Sequence, residues 1–339
     1  MNVAVVIVNA NGGEHLARTL ECLGRQTSAP RRVFVVDNAS ADGSMDGLED
    51  RFPWVEAIRL DENVGFAAAN NLAVRRAEDC EWVALLNPDA YAEARWLEEL
   101  LDAAARRPEF SFFGSRLVQA ADPDRLDGTG DVLHVSGMAW RRDHGVAASA
   151  VERVEEEIFS PCAAAALYRR DVFLAVGGFD EQFFCYYEDS DLSFRLRLAG
   201  ERCLFVPGAV VHHVGSATTG RMSDFTIYHS YRNQTWVFVK NMPLPLLLLY
   251  LWQHVLVGAL VFGAFLLRGQ GRVVLRAKRD AIAQLPRVLR QRRETQRGRR
   301  PGAWAVRRML ARGVDGYALT FAGRVRARAA EPVAPLGYE

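Results

Sequence analysis

Apolar residues recur through the first part of the chain in short blocks separated by polar breaks. Residues 3–8 (VAVVIV) form a run too short for a helix and rich in β-branched side chains, and residues 32–36, 55–60 and 82–86 repeat the pattern. Each is predicted to be a buried strand. Residues 15–26 and 67–77 place their apolar positions at helical spacing. Strand, helix and strand in alternation predict a mostly parallel sheet with crossover helices. Every predicted strand ends on polar residues: Asn9 and Asn11, Asp37 and Asn38, a third group ending at Asn63, and Asn87 with Asp89. Ligands of open α/β sheets bind beyond the strand carboxyl ends, so these are candidate binding residues. Turn initiation and helix capping are the competing uses of the same residue types.

Residues 119–157 are less regular, with loop signals in DPDRLDGTGD and RRDHG, and helical periodicity returns at 169–176 and 191–198. Between those helices lies GGFDEQFFCYYEDSDLSFRLRLAG, residues 177–200, which sets Asp180, Glu181, Glu188, Asp189 and Asp191 among Phe179, Phe183, Phe184, Tyr186 and Tyr187. A surface loop gains nothing from so many aromatics, and a core is penalised by unpaired acids, so the stretch marks a site. If Asp191 begins the following helix, it caps the backbone N–H groups there and pairs with Arg195 one turn on.

Half of the 339 residues are hydrophobic, enough for a substantial core in one large domain or two smaller ones. The formal charge of +1 conceals an asymmetry, because acids dominate the earlier part while arginines crowd the region after Arg268. Cys22, Cys80, Cys162, Cys185 and Cys203 are scattered without a C-x-x-C pair, so neither a disulfide framework nor a zinc site is signalled and reduced, cytoplasmic thiols are expected. The start, MNVAVVIVNA, has no basic region before its apolar run, which argues against a signal peptide. The basic tail lacks interleaved aromatic platforms, so no nucleic-acid partner is expected.

Residues 244–267 carry no formal charge apart from titratable His254 and are long enough, as one helix, to cross a bilayer core of about 30 Å. A single crossing would place the arginine-rich tail across the membrane from a cytosolic domain, which the positive-inside tendency opposes. Gln253, His254, Gly258 and Gly263 interrupt the stretch, so a re-entrant pair of short helices or an in-plane apolar layer is expected. The tail then lies on anionic headgroups at the cytoplasmic face of the inner (plasma) membrane.

In this order, VVIVNAN, VVDNAS, NVGFAAANN, LLNPDA and the acidic aromatic stretch, within residues 3–243, resemble the family 2 glycosyltransferases, most of all the bacterial rhamnosyltransferases. The resemblance implies a GT-A fold, a Rossmann-like, mostly parallel sheet with flanking helices. It implies a nucleotide-sugar donor, a divalent metal, and inversion at the anomeric carbon. The GT-A domain would occupy 1–243, a nucleotide-sugar half to about 118 and an acceptor half from 119, followed by the apolar segment 244–267 and a basic helical tail 268–339.

Carried over residue by residue, Asp37 accepts a hydrogen bond from a uracil or thymine imide, with Asn9, Asn38 and Asn63 also on the donor side. LLNPDA stands at the family's D-x-D position with Asn87 in place of the first acid. Asp89 is left as the metal ligand and Asn87 to hold ribose or phosphate. One carboxylate suffices for Mn²⁺ or Mg²⁺ when phosphate oxygens complete the shell. His212 aligns with the histidine that completes that shell in relatives, with His213 as a near competitor. Tyr187 and its aromatic neighbours wall the acceptor side, Asp189 is the catalytic base and Glu188 supports it. Arg232 either clamps the diphosphate or is a surface anchor before an apolar helix. The donor implied first is dTDP-rhamnose and the acceptor a lipid-linked saccharide. Transfer directly onto a polyprenyl phosphate and a non-catalytic nucleotide-sugar-binding scaffold are the rivals, and the presence of Asp89, Glu188 and Asp189 opposes the second.

Overall fold

The structure is a computed structural model describing residues 1–215 and 222–313. Its first part runs β1 (Val3–Asn9), α1 (Glu14–Leu23), β2 (Arg32–Asp37), α2 (Leu48–Arg51), β3 (Val55–Arg59), α3 (Gly65–Arg76) and β4 (Trp82–Leu86). Then come β5 (Ala90–Ala92), α4 (Trp96–Arg106), β6 (Phe112–Gln119), β7 (Leu126–Gly128), β8 (Asp131–Leu133) and β9 (Ala139–Arg141). They are followed by β10 (Glu156–Ile158), β11 (Ala165–Arg169), α5 (Arg170–Ala175), α6 (Glu188–Leu198) and β12 (Cys203–His213). Five helices close the described chain: α7 (Asp224–Asn241), α8 (Leu244–Leu266), α9 (Gly271–Ala283), α10 (Leu285–Arg297) and α11 (Ala303–Met309).

The main sheet has the order β10-β12-β6-β11-β4-β1-β2-β3. β3, β2, β1 and β4 are parallel, as the alternation predicts, whereas β11 runs antiparallel to both β4 and β6. Along β1, Val3, Val5 and Ile7 pack with Leu16, Leu20 and Trp96 on one face, while Ala4, Val6 and Val8 pack with Ala73, Phe173 and Leu196 on the other. Both faces are covered by helices, which is why the strand reads as an unbroken apolar run rather than an alternation. β8 and β9 form a separate two-stranded hairpin within the stretch that reads as irregular in sequence.

Two expectations are corrected here. Helix α6 begins at Glu188, after Tyr187 in the left-handed region (φ 68°), so Asp191 does not cap it. Asp191 is instead fully buried: Oδ2 accepts from Arg195 Nε at 2.8 Å and Lys240 Nζ at 3.0 Å, and Oδ1 accepts from Asn241 Nδ2 at 2.8 Å. The Arg195 pairing is as expected, and the carboxylate also stitches α6 to α7. The second correction is that α8 is one continuous helix of 23 residues, mean hydropathy 1.9, not a re-entrant pair.

Gly258 and Gly263 lie inside α8 without breaking it, and His254 has a structural use. Its Nδ1 donates to the Ser136 carbonyl at 2.7 Å and its ring stacks on Phe238, centroids 4.3 Å apart. Leu246, Val257, Val261 and Phe265 form the buried stripe of α8, against the neighbouring helices. The opposite face leaves Leu248, Trp252, Val255, Leu256 and Leu260 exposed, and Leu275 and Ile282 of α9 are exposed as well. By length and composition α8 could cross a membrane. The basic tail expected over 268–339 is helical through α11, and its last part lies outside the described residues.

Candidate active site

β1 has β2 on one side and β4 on the other, so chain connections leave β1 and β4 in opposite directions, and a crevice opens above their carboxyl ends. A cavity of about 490 Å³ occupies that place. The donor half contributes Asn38, Asn63, Asn87 and Asp89 to its wall, and the acceptor half contributes Tyr187, Glu188 and Asp189. Asp131, Arg141, Cys162 and His213 are among its other lining residues. Among the described residues, Asn9, Asp37, His212 and Arg232 do not form part of this wall.

On the donor side, Asn9 is an internal brace. Its Nδ2 donates to the Ser40 and Ser44 hydroxyls at 3.0 and 2.8 Å, and its Oδ1 accepts from the Gly12 amide at 3.2 Å. Asp37 is buried at the end of β2, where Oδ1 accepts from the Ser40 amide at 3.1 Å. Asn38 and Asn63 interlock: Asn38 Nδ2 donates to Asn63 Oδ1 at 2.8 Å, Asn38 Oδ1 accepts from the Val64 amide, and Asn63 Oδ1 accepts from the Gly65 amide. Gly65 has φ +85°, and a Cβ there would lie 2.6 Å from the Phe184 ring, so only glycine fits where the donor turn meets the acceptor loop.

Asn71, further along α3, clamps the acceptor-side loop as well. Its side chain donates to the Phe179 carbonyl at 2.8 Å and accepts from the Phe179 amide at 2.9 Å.

His212 corrects the metal-shell expectation. Successive side chains of a strand point to opposite faces, so on β12 only one of the two histidines faces the crevice. His212 points away, its Nε2 3.0 Å from Glu93 Oε1. His213 is the inward one: Nδ1 donates to Asp127 Oδ2 at 2.7 Å, and Nε2, buried and without a hydrogen-bond partner, lies 3.5 Å from Asp89 Oδ1. Asp89 Oδ2 accepts from the Gly215 amide at 3.1 Å. Burial opposes ionisation of Asp89, but His213 and nearby amides outweigh it and hold the carboxyl below its ordinary range. A carboxylate oxygen beside an orphaned imidazole nitrogen, whose other nitrogen is fixed by a second carboxylate, fits a divalent cation of the Mn²⁺ type.

Arg232 is also corrected, because it faces the acceptor loop and not the donor crevice. Its Nη2 donates to the carbonyls of Gln182 and Phe183 at 3.1 and 2.9 Å, and its guanidinium lies over the Trp236 ring at 4.4 Å. Asn233 beside it donates to the carbonyls of Phe183, Cys185 and Tyr186 at 3.0, 2.9 and 2.7 Å. That scaffold has work to do, since Phe184, Tyr186 and Tyr187 all have positive φ (67°, 66° and 68°), a conformation unfavourable for bulky side chains. The strained loop aims the start of α6 into the cavity.

There, Asp189 Oδ1 accepts from the Ser190 amide at 2.7 Å. Burial raises its pKa, against the lowering effect of the Ser190 and Ala163 amides and of Arg141. Glu188 is pushed well up by burial and by the neighbouring Asp189, and its Oε2 has no partner. Tyr187 Oη accepts from the Ala139 amide at 3.1 Å, tying the loop to the β8–β9 hairpin. A carboxylate of raised basicity in the same cavity as a pair that fits a cation can take a proton from a nucleophile while a charged group departs.

The family model for Glycosyl transferase family 2 matches residues 4–177, just over half the chain. The chain belongs to this family. Over 262 residues this family 2 glycosyltransferase is 31% identical to the N-acetylglucosaminyl-diphospho-decaprenol L-rhamnosyltransferase of Mycobacterium tuberculosis, covering 70% of this chain and 83% of that protein. It is 23% identical over 239 residues to the O-antigen chain rhamnosyltransferase RfbN of Salmonella typhimurium, covering 68% of this chain and 73% of that one. Its fold is similar to that of GalNAc-T7 with UDP, GalNAc and Mn²⁺ (TM-score 0.58, 16% identity, 71% of this chain and 48% of that chain). It is also similar to the mannosyltransferase PcManGT of Pyrobaculum calidifontis with GDP-Man and Mn²⁺ (TM-score 0.52, 19% identity, 83% and 75%). The GT-A architecture of this glycosyltransferase agrees with the fold expected from its motifs.

Proposed function

We propose that this glycosyltransferase moves rhamnose from dTDP-rhamnose onto a saccharide carried by a polyprenyl diphosphate, inverting the anomeric centre, at the cytoplasmic face of the plasma membrane. The observation that carries the reading is that Asp189 and the Asp89–His213 pair line one cavity. The acceptor oxygen attacks the anomeric carbon in line, Asp189 takes the hydroxyl proton, and the bond to the diphosphate oxygen breaks. A divalent cation at Asp89 and His213 supplies charge neutralisation for the departing nucleoside diphosphate. Asn38, Asn63 and Asn87 offer amide groups to nucleotide, ribose or phosphate, and Asp37 at the end of β2 holds the Ser40 amide. The choice of rhamnose and of a lipid-diphosphate acceptor is supported by the activity named for the mycobacterial relative.

Incubation with dTDP-rhamnose and a short-chain polyprenyl-diphosphate N-acetylglucosamine tests the reaction, and a panel of other nucleotide sugars tests the donor. No product with any donor overturns the reading. Asp89→Ala is expected to weaken Mn²⁺-dependent nucleotide-sugar binding by about tenfold or more, and EDTA to have the same effect on the unaltered protein. Turnover untouched by EDTA removes the cation from the scheme.

Membrane association is supported by the apolar face of α8, which is held lengthwise against the body along its buried stripe, with Arg268, Arg272 and Arg279 close by in sequence. That arrangement suits a helix lying in the interface. Co-sedimentation with phosphatidylglycerol vesicles is expected. Exchanging exposed Trp252 and Leu256 for Glu should reduce it at least tenfold, because each large apolar side chain contributes roughly 1.5–3 kcal/mol on burial. Equal binding of the exchanged protein argues against this face as the docking surface.

A further inference from the structure

The hairpin β8–β9 pairs Asp131 directly with Arg141 across its two strands, and both side chains reach the cavity wall. Arg141 reaches two buried groups at once. Nη1 is paired with Asp127, the carboxylate that also fixes His213, and Nη2 donates to Cys162 Sγ at 3.3 Å. Cys162 Sγ and the carboxyl oxygens of Asp131 and Asp189 lie within 4.8 Å of one another. Three such donors could hold a cation, but the guanidinium already supplies a positive charge at that spot. A polar chain therefore runs from Asp89 through His213, Asp127 and Arg141 to the wall that holds Asp189.

We propose that Arg141 is a positioning residue for transfer, whose guanidinium, fixed between Asp127 and Cys162, sets a positive charge on the stretch of wall that carries Asp189. The proposal rests on the glycosyltransfer reading above. The groups facing Asp189 are Glu188 on its own helix, Asp131 and Arg141 on the hairpin, Cys162 with the Ala163 amide, and Tyr168 of β11. Arg141 is the cation among them. Without it, burial and the remaining acids favour the protonated carboxyl, and a protonated Asp189 cannot accept the acceptor hydroxyl's proton. Removing the charge thus moves the acidic limb of the rate profile to higher pH.

The test compares kcat against pH for the unaltered enzyme, Arg141→Gln and Arg141→Lys, with dTDP-rhamnose and the short-chain lipid acceptor, each variant first shown to melt cooperatively. Arg141→Gln should lower kcat and raise the acidic limb by about one pH unit or more, and any change in donor KM reports the loosened Asp127–His213 contact separately. Arg141→Lys should bring the limb back towards its original place even if kcat stays low. Asp131→Asn, which removes a competitor for the guanidinium, should leave the limb at or below its original position. If Gln and Lys lower kcat equally without moving the limb, or if Asp131→Asn moves it upward, Arg141 is only a packing residue and the proposal fails. If the unaltered enzyme transfers no sugar from any donor, the glycosyltransfer reading itself fails, a separate result.

Discussion

Asp189→Asn is expected to lower kcat for transfer by about 10²–10⁴-fold while leaving nucleotide-sugar affinity close to that of the unaltered protein. The asparagine keeps the shape of the side chain, and its oxygen can still accept from the Ser190 amide that Asp189 Oδ1 engages. What disappears is the ability to hold the acceptor's proton. Donor binding should survive because the donor-side groups Asp89, Asn38 and Asn63 of the cavity wall are left in place. Measuring turnover beside dTDP-rhamnose affinity separates the two effects. Transfer within a few-fold of the original rate would pass the role to Glu188, which also lines the cavity and has an unpartnered Oε2.

Asp191→Ala should cost about 3–5 kcal/mol of folding stability, the effect of removing one partner from a buried ion pair. Arg195 and Lys240 both donate to its carboxylate, and their side chains are only 8% and 4% exposed. Without Asp191, two cations are left close together, and Asp180, 2.8 Å from Lys240, is shared with Arg287 at 3.6 Å. Burial opposes ionisation of Asp191, but Arg195 and Lys240 outweigh it and hold the carboxyl below its ordinary range. A carboxyl whose folded pKa is depressed stabilises fully above its unfolded value of about 3.9, and that contribution is lost as pH falls from there through the folded pKa. Urea unfolding near neutral pH should therefore show the full deficit, and the two proteins should converge in acid. A deficit under about 1 kcal/mol would mean that the network relaxes around the gap.

The sequence was most informative where one physical signal dominates. Short apolar runs, β-branched most clearly in β1, marked β1 to β4, and the acids crowded among aromatics marked the loop before α6. Predicted ends erred slightly: residues 15–26 were read as helix, but α1 stops at Leu23, where the Gly24 amide donates to the Leu20 carbonyl. His212 was misassigned because a motif register does not say which of two neighbours on a strand faces the crevice. His213 carries the signal in retrospect, through alternation alone. Arg232 was misplaced for a different reason: a guanidinium that satisfies carbonyls of a strained loop looks in sequence like one awaiting a phosphate. Asp127, Asp131 and Arg141 could not be singled out, since their meaning depends on a short hairpin whose partners are fixed by tertiary contacts with Ser160, Cys162 and His213. The break expected in α8 failed because His254 and Gln253 were read as interruptions, while the structure uses His254 to dock the helix.

The contact between Gly65 and Phe184 has a practical meaning for hybrid enzymes. The Ala67 amide donates to the Phe184 carbonyl at 3.1 Å, and the space where a side chain at position 65 would begin is filled by the Phe184 ring. The two halves of the molecule are therefore not interchangeable modules. A chimera that imports a foreign acceptor half must bring a loop that makes the same close approach to position 65, or else take its own donor turn along with it. Recombination points just before Asn63 or just after α6 keep the pair together, whereas a junction near residue 118 separates them.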